Sequence, residues 1–151
     1  MIGARLLVEF EIPDIPPSLA NHRGHWGDIY ATGSRWLELA IHHGRAARML
    51  ADVPPAVSGD RRRVEIVQHR THLLDPGNLE ASVKAIVDGL KLRHARRVKG
   101  IRAELSDLWG AGLIFDDGPA HLDLVVTQAK ARHRAEQRTE VKVFAAFRQS
   151  V

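Results

Sequence analysis

The fold is decided by the stretch from Leu73 to Asp117, which opens LLDPGNLEASVKAIVDGLK (73–91) and closes GLIFDD (112–117). Asp75 leads a Pro-Gly-Asn turn, and the apolar periodicity of a helix follows at once. At 100° per residue the apolar side holds Leu79, Val83, Ile86, Val87 and Leu90, and the other side holds Ala81, Lys84 and Asp88. The pattern predicts a helix after Asn78, with Asp75 or Asn78 as its N-cap.

The same stretch carries the residues with the most evident chemistry. Lys84 and Asp88 lie one helical turn apart, and the apolar run 113–115 predicts a short strand. That strand ends at Asp116 and Asp117. Carboxylates from a turn and a strand end, beside a lysine, suit a magnesium-dependent phosphoryl-transfer site. The alternative is structural, with Asp75 only a helix cap and Lys84–Asp88 only a surface ion pair.

The flanking segments predict one sheet and a second helix. Alternating or β-branched residues predict strands at 6–12, 61–70, 122–127 and 141–147. A stripe at helical spacing (Trp36, Leu39, Ala40, His43, Ala47 and Leu50) predicts a helix from about Ser34 to Ala51. Residues 18–34 are predicted as a loop, and 129–138 as a hairpin loop or tip. The order β-α-β-α-β-β-β indicates an α+β (mixed α/β) domain, with a mixed sheet packed by two main helices.

Composition limits the classes of function. The 151 residues carry a formal net charge of +4, with a pI near 10.0, which makes a polyanionic partner plausible. The absence of cysteine excludes disulfides, thiolate zinc sites and cysteine nucleophiles. No apolar run has the length of a membrane span, and the N-terminus does not resemble a signal peptide, so a cytoplasmic location is expected.

Two segments are candidates for contact with nucleic acid. The first includes Arg23, His25 and Trp26 beside Asn21 and His22, and its alternative is a solvated loop pinned by one buried tryptophan. The second is a basic insertion at about 91–110, whose alternative is a solvated charged face. Its cations are Lys91, Arg93, Arg96, Arg97, Lys99 and Arg102.

The histidines offer weaker candidates for a metal site. His42 and His43 are adjacent on the predicted helix and cannot point the same way. His69 and His72 bracket the exit of the second strand near Asp75, but two histidines are too few for a zinc site.

The chain resembles the RusA family of Holliday-junction resolvases, small dimeric endonucleases of the phage and prophage type. The matching residues are Asp75, Asn78, Lys84, Asp88-Gly89-Leu90 and Ile114-Phe115-Asp116-Asp117, together with the proline-rich opening IPPSLANHRGHW. The resemblance spans nearly the whole chain as one RusA-like domain, 1–151. Gly77 departs from the family pattern, which has a metal-binding aspartate there, and Lys84 lies farther from Asn78 than in the shortest family version.

The resemblance implies a homodimer that cuts four-way or branched DNA by paired symmetric nicks with Mg²⁺, or Mn²⁺ in its place. Asp75, Lys84 and Asp117 would be catalytic, and the metal would be held by Asp75 and Asp117, with Asp88 or Asp116 replacing the ligand lost at Gly77. The DNA-binding candidates are Arg23, His25, Trp26, Arg93, Arg96, Arg97, Lys99 and Arg102. Two alternatives remain open: a branched-DNA-binding relative with weak or no cleavage because of Gly77, and a structural or regulatory protein that does not bind DNA.

Overall fold

The computed structural model describes residues 4–17, 26–96 and 106–146, with the course of the chain alone at 26–31, 94–96 and 106–109. The strands are β1 (Ala4–Ile12), β2 (Arg62–Arg70), β3 (Arg93–Arg96), β4 (Ser106–Trp109), β5 (Leu122–Lys130) and β6 (Arg138–Ala146). The helices are α1 (Trp26–Leu50), α2 (Pro76–Ser82) and α3 (Lys84–Leu90), and a 3₁₀ turn spans Arg134–Glu136. The predicted α+β class with a mixed sheet is confirmed.

The main sheet has four strands in the order β1-β6-β2-β5. β2 pairs in parallel with β5, whereas β6 is antiparallel to both β1 and β2. The prediction of a hairpin loop at 129–138 was wrong. β5 extends to Lys130 and β6 begins at Arg138, and both strands pair with β2, so the chain passes the end of β2 between them.

β2 is an interior strand, paired with β6 and β5, and its residues alternate between a core face and a second face. Val64 and Ile66 are fully buried, and the same face continues through Gln68 and Arg70, which are also buried. Arg70 Nε donates to Gln68 Oε1 at 2.6 Å, and its guanidinium also donates to the carbonyl of Pro16. Gln68 Nε2 in turn donates to Ser82 Oγ at 2.8 Å, so the buried polar groups have partners and join β2 to α2.

α1 is longer than its sequence predicts. The prediction of a loop at 18–34 was wrong for 26–34, which is helical; residues 18–25 lie outside the described part of the chain. Glycine and threonine lower helix propensity there, but no proline interrupts the segment. A helix already nucleated and packed through Trp36 and Ala40 extends at little further cost per residue.

α1 packs closely on α3 because a glycine lies at the crossing. A Cβ at Gly89 would stand 2.7 Å from the Cβ of Ala40 and 2.9 Å from the carbonyl oxygen of Leu37. Together with Val83, Ile86 and Leu90, this contact covers the core face of the sheet. The buried side predicted for the second helix is therefore confirmed.

The second predicted helix is in fact two. It begins at Pro76, before Asn78, and its course breaks at Val83, which has φ −96° and ψ −1°. The amide of Val83 bonds back to Glu80 and Ala81, which closes α2, and α3 starts at the next residue. The apolar stripe continues across the break, which is why periodicity alone predicted one element.

The predicted strand at 113–115 was wrong: only an isolated bridge joins Ile114 to Lys91. The amides of this segment satisfy the free carbonyls at the C-terminus of α3 instead of a strand partner. Leu113 and Ile114 both donate to the carbonyl of Leu90, at 2.9 and 3.1 Å, and Ala111 donates to that of Gly89 at 2.9 Å. The run is apolar because it is buried under the helix end.

The basic insertion contains a two-stranded antiparallel sheet, β3 with β4, which the sequence did not predict. Arg93 pairs with Trp109 and Arg96 with Ser106, so the chain leaves α3 and returns beside it. None of the helices in the described ranges combines the length and the apolar character that a bilayer crossing requires.

Candidate active site

A cleft of about 630 Å³ opens between α2, α3 and the start of β5. The cleft is lined by charged side chains from the stretch 73–117 and by apolar side chains. The lining residues that matter for chemistry are Gly77, Glu80, Lys84, Asp88 and Asp117. Three of the predicted site residues, Lys84, Asp88 and Asp117, are thus brought together.

Asp75 is held at the N-terminus of α2, two residues before Gly77, which lines this cleft. The side chain of Gln128 on β5 pins the preceding residue: its Oε1 accepts from Leu74 N–H at 2.9 Å and its Nε2 donates to Leu74 O at 2.7 Å. Asp75 Oδ1 accepts the amide of Asn78 at 3.0 Å, so Asp75 is the N-cap. Asn78 Nδ2 donates to the other carboxylate oxygen.

The cap does not exclude a second role for Asp75. The carboxylate is exposed, and Gly77, which lines the cleft, would place a Cβ only 3.5 Å from Asp75 Oδ1. The structure thus confirms Asp75 as a helix N-cap and places its carboxylate beside Gly77.

Lys84 and Asp88 form the expected i,i+4 pair, but loosely. Lys84 Nζ is 3.9 Å from Asp88 Oδ2, and the lysine side chain is 76% exposed. An exposed pair at this distance contributes little to stability. Lys84 is therefore a cation free to reach toward a ligand in the cleft.

Lys91 makes closer ion pairs than Lys84 does. Its Nζ lies 3.2 Å from Asp88 Oδ1 and 3.2 Å from Asp117 Oδ2, and its side chain is 18% exposed. Lys91 follows the last residue of α3, and its carbonyl accepts the amide of Gly112 at 3.3 Å. The ammonium thus joins the end of α3 to the loop that carries Asp117.

The pKa values of this pair move apart, as expected of an ion pair. Burial alone would lower the pKa of Lys91, but hydrogen bonds and Coulombic attraction from Asp117 and Asp88 outweigh it and raise this pKa. Burial alone would raise the pKa of Asp117, but the hydrogen bond from Lys91 and other favourable contacts lower it. Both groups are charged near neutral pH.

Asp116 contacts Asp117, and its side-chain interaction helps to lower the pKa of Asp117. Its Oδ1 accepts the amide of Asp117 at 2.8 Å, and its side chain is exposed. It shapes the loop that presents Asp117, and it does not line the cleft.

The donor set meets the smallest requirement for Mg²⁺. Asp88 and Asp117 each direct a carboxylate oxygen at the Lys91 ammonium. Mg²⁺ is often held by one or two carboxylates, with water and substrate phosphate as its other ligands. Within the described ranges, no three or more His, Cys, Asp or Glu side chains come together as a metal-binding group. Asp88 and Asp117 could therefore bind Mg²⁺ weakly, provided that the Lys91 ammonium moves out from between their carboxylates.

Three of the eight predicted DNA-binding residues lie within the described part of the chain. Arg93 is exposed on β3, and Trp26 and Arg96 are placed by the course of the chain alone. Arg23, His25, Arg97, Lys99 and Arg102 lie outside the described residues.

The histidines make local contacts. His69 Nε2 lies 3.1 Å from Glu140 Oε1 on the neighbouring strand. His42 and His43 form an edge-on ring contact at 5.4 Å, and burial followed by repulsion from His42 lowers the pKa of His43.

Lys91 was not among the predicted catalytic or metal-site residues. In the sequence Lys91 is the first cation of a basic run, and nothing in the pattern indicated a role for it different from that of Arg93. The available signal was its i,i+3 spacing from Asp88, which places the two on adjacent turns. Its contact with Asp117 depends on the return of the chain through 110–114.

No protein-family model, curated protein or solved structure matches this chain. The resemblance to RusA resolvases therefore stays a prediction that depends on the residues quoted for it.

Proposed function

We propose that the protein is a metal-dependent, structure-specific endodeoxyribonuclease that resolves four-way DNA junctions by paired nicks. The observation that carries the proposal is the convergence of Asp88 and Asp117 on one cation position in an open cleft, beside Lys84. Two carboxylates and a free lysine are a suitable set for hydrolysis of a phosphodiester.

Each side chain has a distinct role in this proposal. Asp88 and Asp117 would hold Mg²⁺, with Asp75 and Asp116, which lie outside the cleft lining, as further oxygen donors through water. Lys84 would stabilise the charge that develops on the phosphoryl oxygens. The chemistry that Mg²⁺ supplies when bound is polarisation of the phosphate and a lowered pKa of the attacking water.

DNA is the proposed polyanion because the chain is basic and exposed cations lie near the acidic pair in the sequence. The net charge is +4, and two exposed cations, Lys84 and Arg93, lie on either side of Lys91 in sequence. Such cations lend affinity by releasing counterions from the DNA, so binding should weaken as salt rises. A homodimer would supply two sites for paired nicks, since a two-fold enzyme suits a junction of approximate two-fold symmetry.

A second candidate is a junction-binding protein with weak or no cleavage. Gly77 lines the cleft where the family pattern has a metal-binding aspartate, and the Lys91 ammonium stands between the two remaining carboxylates. Both features favour weak metal binding. They do not weaken the attraction for DNA.

The two candidates are separated by restoring the missing carboxylate. A side chain at Gly77 fits, because its Cβ would meet only Asp75 Oδ1, at an ordinary 3.5 Å. A labelled four-way junction is incubated with Mg²⁺ or Mn²⁺ and the parent, Gly77→Asp or Asp117→Asn. Nicks by the parent that Asp117→Asn abolishes support the nuclease. Nicks by Gly77→Asp alone, with binding by the parent, support the binding protein. A parent that neither binds nor cuts the junction contradicts both.

A further inference from the structure

Lys91 occupies the place where a divalent cation would be held. Its ammonium is 3.2 Å from an oxygen of Asp88 and 3.2 Å from an oxygen of Asp117, which belong to different elements of the chain. Mg²⁺ needs ligand oxygens at about 2.1 Å, so it cannot share that point with an ammonium. One cation excludes the other.

The two converging carboxylates already have cationic partners without a metal. Asp88 and Asp117 carry two negative charges and contact Lys84 and Lys91, which carry two positive ones, while Glu80 adds a third negative charge to the lining of the cleft. A divalent ion entering this arrangement would meet two lysines and carboxylates already paired. The free protein should therefore bind divalent ions poorly.

The backbone of Lys91 is held by neighbouring segments, whereas its long side chain has several rotatable bonds. The residue is tied to Gly112 through its carbonyl and to Ile114 through a bridge, whereas the four-carbon stem keeps its rotatable bonds. A phosphodiester in the cleft offers the ammonium an alternative anionic partner. If Lys91 turned to that phosphate, both carboxylates would become available.

We propose that Lys91 gates the metal site: its ammonium holds Asp88 and Asp117 in the free protein and releases them to a divalent ion when a phosphodiester enters the cleft. This inference rests on the proposed function. It adds that DNA and the divalent ion each favour the binding of the other. Because coupling between two ligands is reciprocal, metal must raise DNA affinity by the factor by which DNA raises metal affinity.

The direct test uses no DNA. Mn²⁺ binding to the free protein is measured by electron paramagnetic resonance for the parent, Lys91→Met, Lys91→Gln and Lys91→Arg. Lys142→Met is the matched control, because it removes an equal charge from an exposed position on β6, away from the cleft. Circular dichroism establishes that each variant is folded, and the glutamine variant serves if the methionine variant is not.

We expect removal of the ammonium to lower the Kd for Mn²⁺ about tenfold, within the usual range of coupling between sites. Lys91→Arg and Lys142→Met should stay close to the parent, since the first keeps the cation and the second leaves the cleft unchanged. Equal Kd values for the parent and the neutral Lys91 variants would overturn the inference. So would an arginine variant that binds Mn²⁺ as tightly as the methionine variant.

A second measurement tests the coupling to DNA. Affinity for a labelled four-way junction is measured by fluorescence anisotropy with and without Ca²⁺, for the parent and Lys91→Met. Ca²⁺ should raise the affinity of the parent by a larger factor than that of the variant, whose carboxylates are already free. Equal factors would contradict gating. Absence of junction binding, with the Mn²⁺ effect of Lys91→Met retained, would instead contradict the proposed function and leave competition at the site standing.

Discussion

Lys91 Nζ and Asp117 Oδ2 lie 3.2 Å apart and join the C-terminus of α3 to the loop before β5. Together with the contact between Lys91 and Asp88, this contact holds the carboxylates of Asp88 and Asp117 near the same ammonium. Lys91 looks in the sequence like part of a basic run, but it contacts two carboxylates that line the cleft. The stability that the contact between Lys91 and Asp117 adds should depend on pH in a defined way.

Asp117→Asn should lower the free energy of unfolding at pH 7 by about 0.5–1 kcal/mol, since Asp117 is 40% exposed and solvent screens the pair. The pKa of Asp117 is lowered from 3.8, so its contribution is complete above that pH and disappears as pH falls through the lowered pKa. The pKa of Lys91 is raised from 10.5, so its contribution is complete below that pH and disappears as pH rises through the raised pKa. Urea unfolding at pH 7 and pH 3 measures the difference in the free energy of unfolding between the parent and Asp117→Asn. This difference must be smaller at pH 3. An equal difference at both would contradict the ion pair.

Asp75 has two possible roles that two substitutions distinguish. Asp75→Ala removes the N-cap of α2 and should destabilise the protein by about 0.5–2 kcal/mol. Asp75→Asn keeps an oxygen for the amide of Asn78 and should cost much less. If the carboxylate also serves cleavage, both variants should lose nicking activity in equal measure. Full activity of Asp75→Asn at parental stability would limit Asp75 to its structural role.

Gly110 has no room for a side chain. A Cβ there would lie 1.9 Å from the carbonyl oxygen of Lys91, so Gly110→Ala must displace the segment that carries Asp117 and should cost about 3 kcal/mol. Gly33→Ala is the control, because nothing lies within 4 Å of its Cβ and alanine favours α1 by about 0.5–1 kcal/mol. Chemical denaturation measures both. A Gly110→Ala protein as stable as the parent would show that 110–114 is not held as described.

Lys84 should contribute to DNA affinity through charge. Its side chain is 76% exposed at the cleft, so Lys84→Met should weaken junction binding and reduce the slope of log affinity against log salt by about 1. Lys142→Met, on β6 and outside the cleft lining, should leave the slope unchanged. The measurement is fluorescence anisotropy over a salt series. Equal slopes for the parent and Lys84→Met would remove Lys84 from the DNA contact.

The parts of the fold that follow from local pattern could be predicted. The alternation around Val64 and Ile66 predicted β2, and the apolar stripe from Leu79 to Leu90 predicted the buried side of α2 and α3. These patterns record which side of one element faces the core, so a single sequence contains them.

What could not be predicted depends on pairing between distant segments. The run 113–115 has the composition of a strand, but its amides bond to the end of α3. The segment after β5 looks like a hairpin, but β2 lies between β5 and β6. For the same reason the contact of Lys91 with Asp117 could not be predicted from the sequence.

The most direct test of the proposed nuclease is the cutting of a four-way junction in Mg²⁺, compared with a linear duplex of the same sequence. The account predicts paired, symmetric nicks in the junction by the parent, no cutting of the duplex, and loss of cutting in Asp117→Asn. Equal cutting by the parent and Asp117→Asn, or cutting of junction and duplex alike, would contradict it.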